Sequence, residues 1–252
     1  MSDWRTEIRA VRAAVMFFTR LPLPLSSAWN PGDLQRAAAY FPFVGWLVGG
    51  VAALVWWLGV QVWPPTMASG VSLAATLLLT GAFHEDGWAD VCDGFGGGTT
   101  KDRVLEIMRD SRVGAFGAIG VAVMLGLKWQ SVAALPVALA PAVLMAGHAL
   151  SRAAAISLMA TLPYVREGSA KAKPMATELG GGRLAVALLG GMAPLSLLPL
   201  SAAGGALAAV IFARVVLARW FARRIGGYTG DCLGAAQQMT ELVFYLTILA
   251  LA

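Results

Sequence analysis

Between residues 37 and 62 the chain carries no charged side chain, and nearly every residue there is apolar. About 20 such residues are enough to cross the hydrocarbon core of a bilayer. Further apolar runs occupy 67–83, 113–127, 132–150, 184–200, 203–217 and 235–252. Several are short, and 153–162 either extends the fourth or lies in the interface, so six to eight spans are expected. Proline and glycine separate the runs at Trp63-Pro64-Pro65, Gly180-Gly181-Gly182 and Gly226-Gly227. Composition closes off the soluble alternative: 58% of the 252 residues are hydrophobic and 13% charged, about half the roughly 25% charge of a soluble domain. So few charges do not clothe a soluble surface, and so apolar a chain does not stay disordered. The fold class is therefore all-α, a polytopic integral membrane helical bundle forming one domain over residues 1–252, with the lipid bilayer as its first partner.

Residues 1–20 read differently. Ile8, Val11, Val15 and Phe18 recur at helical spacing while Arg5, Arg9 and Arg12 share another face, the pattern of an amphipathic helix lying in the membrane interface. The start is charged and lacks a small-residue cleavage site, so no cleaved signal peptide is expected. Cys92 and Cys232 give neither a disulfide framework nor a zinc spacing.

A formal charge of +5 raises nucleic acid as a partner, but the location of the charges argues against it. With seven spans and an inner N-terminus, the outward loops are 64–66, 128–131 and 201–202, and of the 19 Lys and Arg only Lys128 falls in one. Arg103, Arg109, Arg112, Arg166, Lys171, Lys173, Arg183, Arg219, Arg223 and Arg224 crowd the inner ends. This is a positive-inside pattern, and it puts the polar segment 84–112 on the cytoplasmic side.

That segment is the chemical centre of the sequence. Half of the 14 acids lie within residues 84–114. Asp86, Asp90 and Asp93 stand at i, i+4 and i+7, on one face of a helix. Carboxylates that close repel unless a cation sits among them, and hard oxygen ligands beside a phosphate substrate suit Mg²⁺. A solvated charged face is the bland alternative, but it ordinarily mixes in lysines and this turn has none. The run Gly94-Phe95-Gly96-Gly97-Gly98 allows either backbone amides around an anion or a plain linker. Thr99 or Thr100 is placed to cap a following helix. Asp110-Ser111-Arg112 adds a carboxylate and a guanidinium fork for phosphate oxygens. His84 is a general base, for which histidine's ordinary titration range suits it, a ligand, or an interfacial residue satisfied by backbone, whereas His148, in an apolar span, reads as a bundle histidine satisfied by its neighbours. Far along the chain, Gly226-Gly227-Tyr228-Thr229-Gly230-Asp231 places one isolated acid in a glycine-rich turn on the same side of the membrane, where Asp231 is either a helix cap or a site residue.

Together these residues resemble one family. His84-Glu85-Asp86-Gly87-x-Ala89-Asp90-x-x-Asp93-Gly94, then Arg109-Asp110-Ser111-Arg112-x-Gly114-x-Phe116-Gly117, then Gly227-Tyr228-Thr229-Gly230-Asp231-x-Leu233-Gly234 are similar to the adenosylcobinamide-GDP ribazoletransferase, or cobalamin (5′-phosphate) synthase, family. Phe17-Phe18-Thr19-Arg20-Leu21-Pro22 and Tyr40-Phe41-Pro42-x-Val44-Gly45 fit the same pattern. The resemblance implies a Mg²⁺-dependent enzyme of the bacterial inner membrane. Its substrates are adenosylcobinamide-GDP and α-ribazole or α-ribazole 5′-phosphate, and GMP leaves. On this basis Asp86, Asp90 and Asp93 hold Mg²⁺ with Asp110 or Asp231 completing the shell, and His84 or Glu85 accepts the ribazole proton. Arg112 stabilises the leaving group, while Gly94, Gly96, Gly97, Ser111, Tyr228 and Thr229 line the substrates.

Two rival classes share part of the pattern. Asp86-x-x-x-Asp90 also suits membrane phosphotransferases and prenyltransferases that hold Mg²⁺-diphosphate, yet Ala89-Asp90 stands where a CDP-alcohol transferase has Ala-Arg. A transporter is disfavoured because no internal repeat is found and the acids gather at one face rather than at the midplane. Oligomeric state is left open, a homo-oligomer included.

Overall fold

The computed structural model describes residues 4–23, 31–165 and 180–252; Arg166, Lys171 and Lys173 of the positive-inside pattern lie outside them. The described residues are helical throughout, apart from turns and a single parallel bridge between Tyr164 and Tyr228. In chain order the helices are α1 (Trp4–Phe18), α2 (Pro31–Ala37), α3 (Phe41–Gly59), α4 (Pro65–Thr80), α5 (Phe83–Gly97), α6 (Lys101–Ile107), α7 (Ala115–Ala133), α8 (Ala140–Met159), α9 (Gly181–Met192), α10 (Leu200–Ile225) and α11 (Gly230–Leu251). Proline within the first turns of α3, α4 and α8 fits helix starts, where the missing N–H has no intrahelical partner to lose.

α8 is the centre of the bundle. Within its most apolar window 78% of residues are buried, against 28% in α7, which leaves α7 at the periphery. Small residues let α3 close onto it: a Cβ on Gly45 would stand 2.4 Å from the His148 carbonyl, and one on Gly49 would stand 2.8 Å from Met145 Cα. Without a hydrophobic force between helices in lipid, such close backbone packing is a principal source of association.

Among the described residues four segments are long and apolar enough to cross a membrane: Gln35–Gly59, Ala115–Ala133, Ala140–Met159 and Leu200–Ile225. A fifth arises if α4 and α5, bent by 90°, count as one. This is fewer than the six to eight full spans expected, for three physical reasons. The run 67–83 does not continue straight but turns into α5. α9 is short and ends in a 3-10 turn at Ala193–Leu197 that contains Pro194. α11 has ample length, yet Gln237, Gln238 and Glu241 interrupt its apolar body.

The bend between α4 and α5 is built from two consecutive left-handed residues, Gly81 (φ 68°) and Ala82 (φ 55°). Gly81 adopts this region without cost, whereas an L-residue such as Ala82 is disfavoured there by about 1–2 kcal/mol. The Arg20 amide closes the corner by donating to the Leu79 carbonyl (2.8 Å). The consequence is that the apolar α4 hands the chain over to an acidic α5 pointing in a new direction.

Two expectations are revised here. Residues 128–131 are not an outward loop but the last turns of α7, and Lys128 is buried with its Nζ 2.8 Å from Glu241 Oε1. α1 is helical as expected and leaves Ile8 and Val11 exposed with Trp4, but Phe18 of the expected apolar face packs inward with Ala10, Ala13 and Ala14.

Candidate active site

α5 carries the acids and divides them between two surroundings. Glu85 and Asp86 sit in its first turn, where carboxylates meet the positive end of the helix dipole. Asp86 is exposed and Asp90 half-buried. Across from them runs the start of α11, and two glycines let the helices touch. A Cβ on Gly87 would lie 2.9 Å from the Asp231 carbonyl oxygen and 3.1 Å from Asp231 Cα; one on Gly234 would lie 3.1 Å from the His84 carbonyl oxygen. Asp231 therefore packs by its backbone against the stretch of α5 between Asp86 and Asp90. Thr229 caps α11, its Oγ1 accepting from the Cys232 amide and donating to Asp231 Oδ2, both at 3.3 Å. Asp231 is thus at once a residue of the capped first turn and a neighbour of the acid face.

Asp93, the third acid of the i, i+4, i+7 set, is engaged elsewhere. Its carboxylate accepts from the amides of Gly114 (2.7 Å) and Gly117 (2.8 Å), capping the N-terminus of α7. A Cβ at either glycine would stand 2.5 Å or less from that carboxylate. The Gly114-x-Phe116-Gly117 motif is thereby explained as room for Asp93. Asp93 thus joins α5 to α7, a tie that its place in the i, i+4, i+7 set does not reveal.

The glycine run is likewise not an anion-binding loop in conformation. Gly94, Gly96 and Gly97 are helical and form the end of α5; Gly94 packs under Met108, and Gly96 against the Phe116 ring. Arg224 donates to the carbonyls of Phe95 and Gly98, both at 2.7 Å, which satisfies the C-terminal end of α5 with a cation. Thr100 caps α6, as the sequence suggests.

Asp110 and Arg112 form a bidentate pair in the exposed turn between α6 and α7, with the shortest contact at 2.6 Å. The guanidinium and the Arg112 amide beside it hold the Asp110 carboxyl down at about 2. Ser111 lies exposed between them.

His84 does not share the acid face. About 200° separates residues i and i+2 around a helix, and His84 is buried with its ring stacked on Phe18 at 5.0 Å. Glu85 turns toward the bundle, where Gln238 Nε2 donates to its Oε1 at 2.8 Å while its buried Oε2 has no hydrogen-bond partner. Tyr228 is buried beside Tyr164, and burial above all, then charge repulsion from the Tyr164 phenol, pushes its own phenol up to about 12. It stays protonated near neutrality and is unsuited to act as a base.

Among the described residues no three His, Cys, Asp or Glu side chains form a ready-made metal cage. Mg²⁺ does not require one, since it is commonly held by one or two carboxylates with water and substrate phosphates filling the octahedron. Asp86 and Asp90, with Asp231 across the helix crossing, are oxygen donors of that kind. They fit Mg²⁺ delivered with a phosphate ligand.

The family model described as cobalamin-5-phosphate synthase matches residues 10–249. The chain belongs to the cobalamin-5-phosphate synthase family. Relatives named adenosylcobinamide-GDP ribazoletransferase match end to end. The protein of Ralstonia nicotianae is 49% identical, covering 99% of this chain and 98% of the relative. That of Ralstonia pickettii is 50% identical with the same coverage, and that of Vibrio cholerae 41% identical over 98% of this chain and 95% of the relative. No solved structure matches the chain.

In this member of the cobalamin-5-phosphate synthase family, sequence reasoning overlooked four polar residues: Lys128, Gln237, Gln238 and Glu241. All four are buried and hydrogen-bonded to one another or to Glu85. The available signal was their presence in otherwise apolar helices, because polar groups at membrane depth are functional candidates by default. His148 conforms to expectation, its Nδ1 lying 3.1 Å from Glu241 Oε2.

Proposed function

We propose that this chain is a Mg²⁺-dependent transferase that joins adenosylcobinamide-GDP to α-ribazole, or to α-ribazole 5′-phosphate, with release of GMP. The product is adenosylcobalamin or its 5′-phosphate. The names of relatives matched over almost the whole chain support this reading. The observation that carries it is the crossing of α5 and α11 at Gly87 and Gly234, where Asp231 meets the stretch bearing Asp86 and Asp90. Acids from two distant parts of the chain thus lie on two helices that touch, and α5 is tied through Asp93 to Gly114, two residues past the exposed Asp110-Ser111-Arg112 turn, a setting suited to a diphosphate.

The reaction is one in-line displacement. A ribazole hydroxyl oxygen bonds to the cobinamide-side phosphorus, the bond from that phosphorus to the bridging oxygen breaks, and GMP departs with the electron pair. Asp86, Asp90 and Asp231 are the side chains that would hold Mg²⁺, which when bound would supply charge neutralisation for the diphosphate. Glu85 takes the hydroxyl proton: Gln238 fixes one of its oxygens, and the other, buried, has no hydrogen-bond partner in the protein and is left to accept from the substrate. His84, stacked on Phe18, sets the packing behind Glu85 instead of acting as the base. Arg112 turns from Asp110 onto phosphate oxygens when the diphosphate arrives, since its planar fork serves either partner. Asp93 and the glycines of α5 hold that helix against α7 and α6, and Tyr228 and Thr229 shape the turn that delivers Asp231. The crowding of arginine at the polar ends supports a site facing the cytoplasm from the bacterial inner membrane.

The test is incubation of the purified protein in lipid nanodiscs with adenosylcobinamide-GDP, α-ribazole and Mg²⁺. Equimolar GMP and corrinoid product are expected. Absence of GMP together with turnover of CDP-diacylglycerol would move the chain to another phosphotransferase class, and substrate flux without product would make it a transporter.

A further inference from the structure

We infer that Lys128 and Glu241, an ion pair enclosed in the bundle, are positioning residues for the transfer reaction. They fix the direction of the Gln238 side-chain amide, and Gln238 in turn fixes Glu85. The inference rests on the reading of Glu85 as the acceptor of the ribazole proton.

The chain of contacts is continuous. Lys128 Nζ donates to Glu241 Oε1 (2.8 Å) and to Gln238 Oε1 (2.7 Å). Gln238 Nε2 donates to Gln237 Oε1 (2.7 Å) and to Glu85 Oε1 (2.8 Å). Gln237 Nε2 donates to Ser151 Oγ (3.0 Å) and to Glu241 Oε2. Ser151 Oγ and His148 Nδ1 also face Glu241 Oε2, at 3.5 and 3.1 Å. Lys128, Gln237, Gln238 and Glu241 are each at most 2% exposed.

An amide side chain has two ends that look alike in shape and are opposite in chemistry, so the groups around it decide which way it points. At one end of Gln238 stands an ammonium, which only donates. At the other stands Glu85 Oε1, which accepts from the Gln238 NH₂ at 2.8 Å. Gln237 adds a second constraint, because its own NH₂ is committed to Glu241 and Ser151, leaving its carbonyl to face Gln238. A reversed Gln238 would set NH₂ against NH₃⁺ and oxygen against both Glu85 and Gln237. The Lys128–Glu241 pair therefore has one allowed output, an N–H aimed at Glu85. Stability alone gives little reason for such a pair, since apolar residues of the same volume often serve as well.

Gln238→Glu tests this with little change of shape. It leaves an oxygen for Lys128 but replaces the NH₂ that reaches Glu85 by a second oxygen. The kcat for GMP release should fall about tenfold to a hundredfold, the range for losing a hydrogen bond to a charged group, with KM for adenosylcobinamide-GDP little changed. Lys128→Met and Gln238→Leu should each lower kcat, and their double variant should fall about as far as Gln238→Leu alone, because Lys128 acts through Gln238. Additive losses, or Gln238→Glu with wild-type kcat, would overturn the inference while leaving the transferase reading intact. If the wild type releases no GMP, both fall together. Should Lys128→Met fail to fold, Gln238→Glu decides alone.

Discussion

The two sides of α5 put the same chemistry to opposite use. On its outer side Asp86 is exposed and Asp90 half-buried, with Asp231 brought up by the crossing at Gly87. On its inner side Glu85 meets Gln238, behind which Lys128, Gln237 and Glu241 satisfy one another. Carboxylates near water repel one another only mildly, and a cation among them relieves that repulsion. Inside the bundle Glu241 is matched donor by donor, because an unmatched buried charge costs several kcal/mol, whereas Glu85 keeps one buried oxygen without a hydrogen-bond partner. The difference teaches that surroundings, more than residue type, separate the acids proposed to bind Mg²⁺ from Glu241, which holds Lys128 and Gln237 in place.

Substitutions on the two sides should therefore fail in different ways. The largest effect is expected from Asp86→Ala or Asp90→Ala, each lowering GMP release by at least about a hundredfold, as loss of a transition-state charge partner does. Their thermal unfolding in nanodiscs should match that of the wild type. An unchanged rate would dissolve the distinction. Lys128→Met should instead cost about 3–5 kcal/mol of stability, the range for breaking a buried pair by removing one partner; denaturant unfolding in detergent measures it.

Asp93 lies between these extremes. Asp93→Ala should cost about 1 kcal/mol, the usual value of a helix cap, and should loosen the start of α7 in hydrogen exchange at the Gly114 and Gly117 amides. A loss of activity far beyond that loosening would return Asp93 to the metal site. The smallest effect belongs to Asp110, whose carboxyl is held at about 2 by Arg112, below its ordinary 3.8. A depressed carboxyl contributes stability above its ordinary value and loses it as pH falls toward the folded value. The stability gap between wild type and Asp110→Asn should thus be small at neutral pH and close as pH drops from about 4 to about 2. Salt should shrink it, because the pair is exposed.

Much of the helical frame was legible because uncharged apolar runs have few other uses, and the acid cluster stood out by its density beside such runs. What escaped has a common physical origin in long-range packing. Ala82 gives no sign of the left-handed conformation that makes the 90° turn, since alanine seldom adopts it. Lys128 looked like a loop residue because a charge ordinarily ends a span; its partner Glu241 is more than a hundred positions away. The glycines after Asp93 suggested a loop, but packing under Met108 and Phe116 demands the same residue in a helix. Asp93 was counted with its helix-face neighbours, although the amides it caps lie 21 and 24 residues later.

The central claim is that Asp231 completes, with Asp86 and Asp90, one Mg²⁺-diphosphate site at the crossing of α5 and α11. Its most direct test is the Mg²⁺ dependence of GMP release for wild type and Asp231→Asn, measured at saturating adenosylcobinamide-GDP and α-ribazole. A lower maximal rate together with a higher Mg²⁺ requirement is predicted. A variant with the wild-type Mg²⁺ curve and rate would reduce Asp231 to a residue of the capped turn and contradict the account.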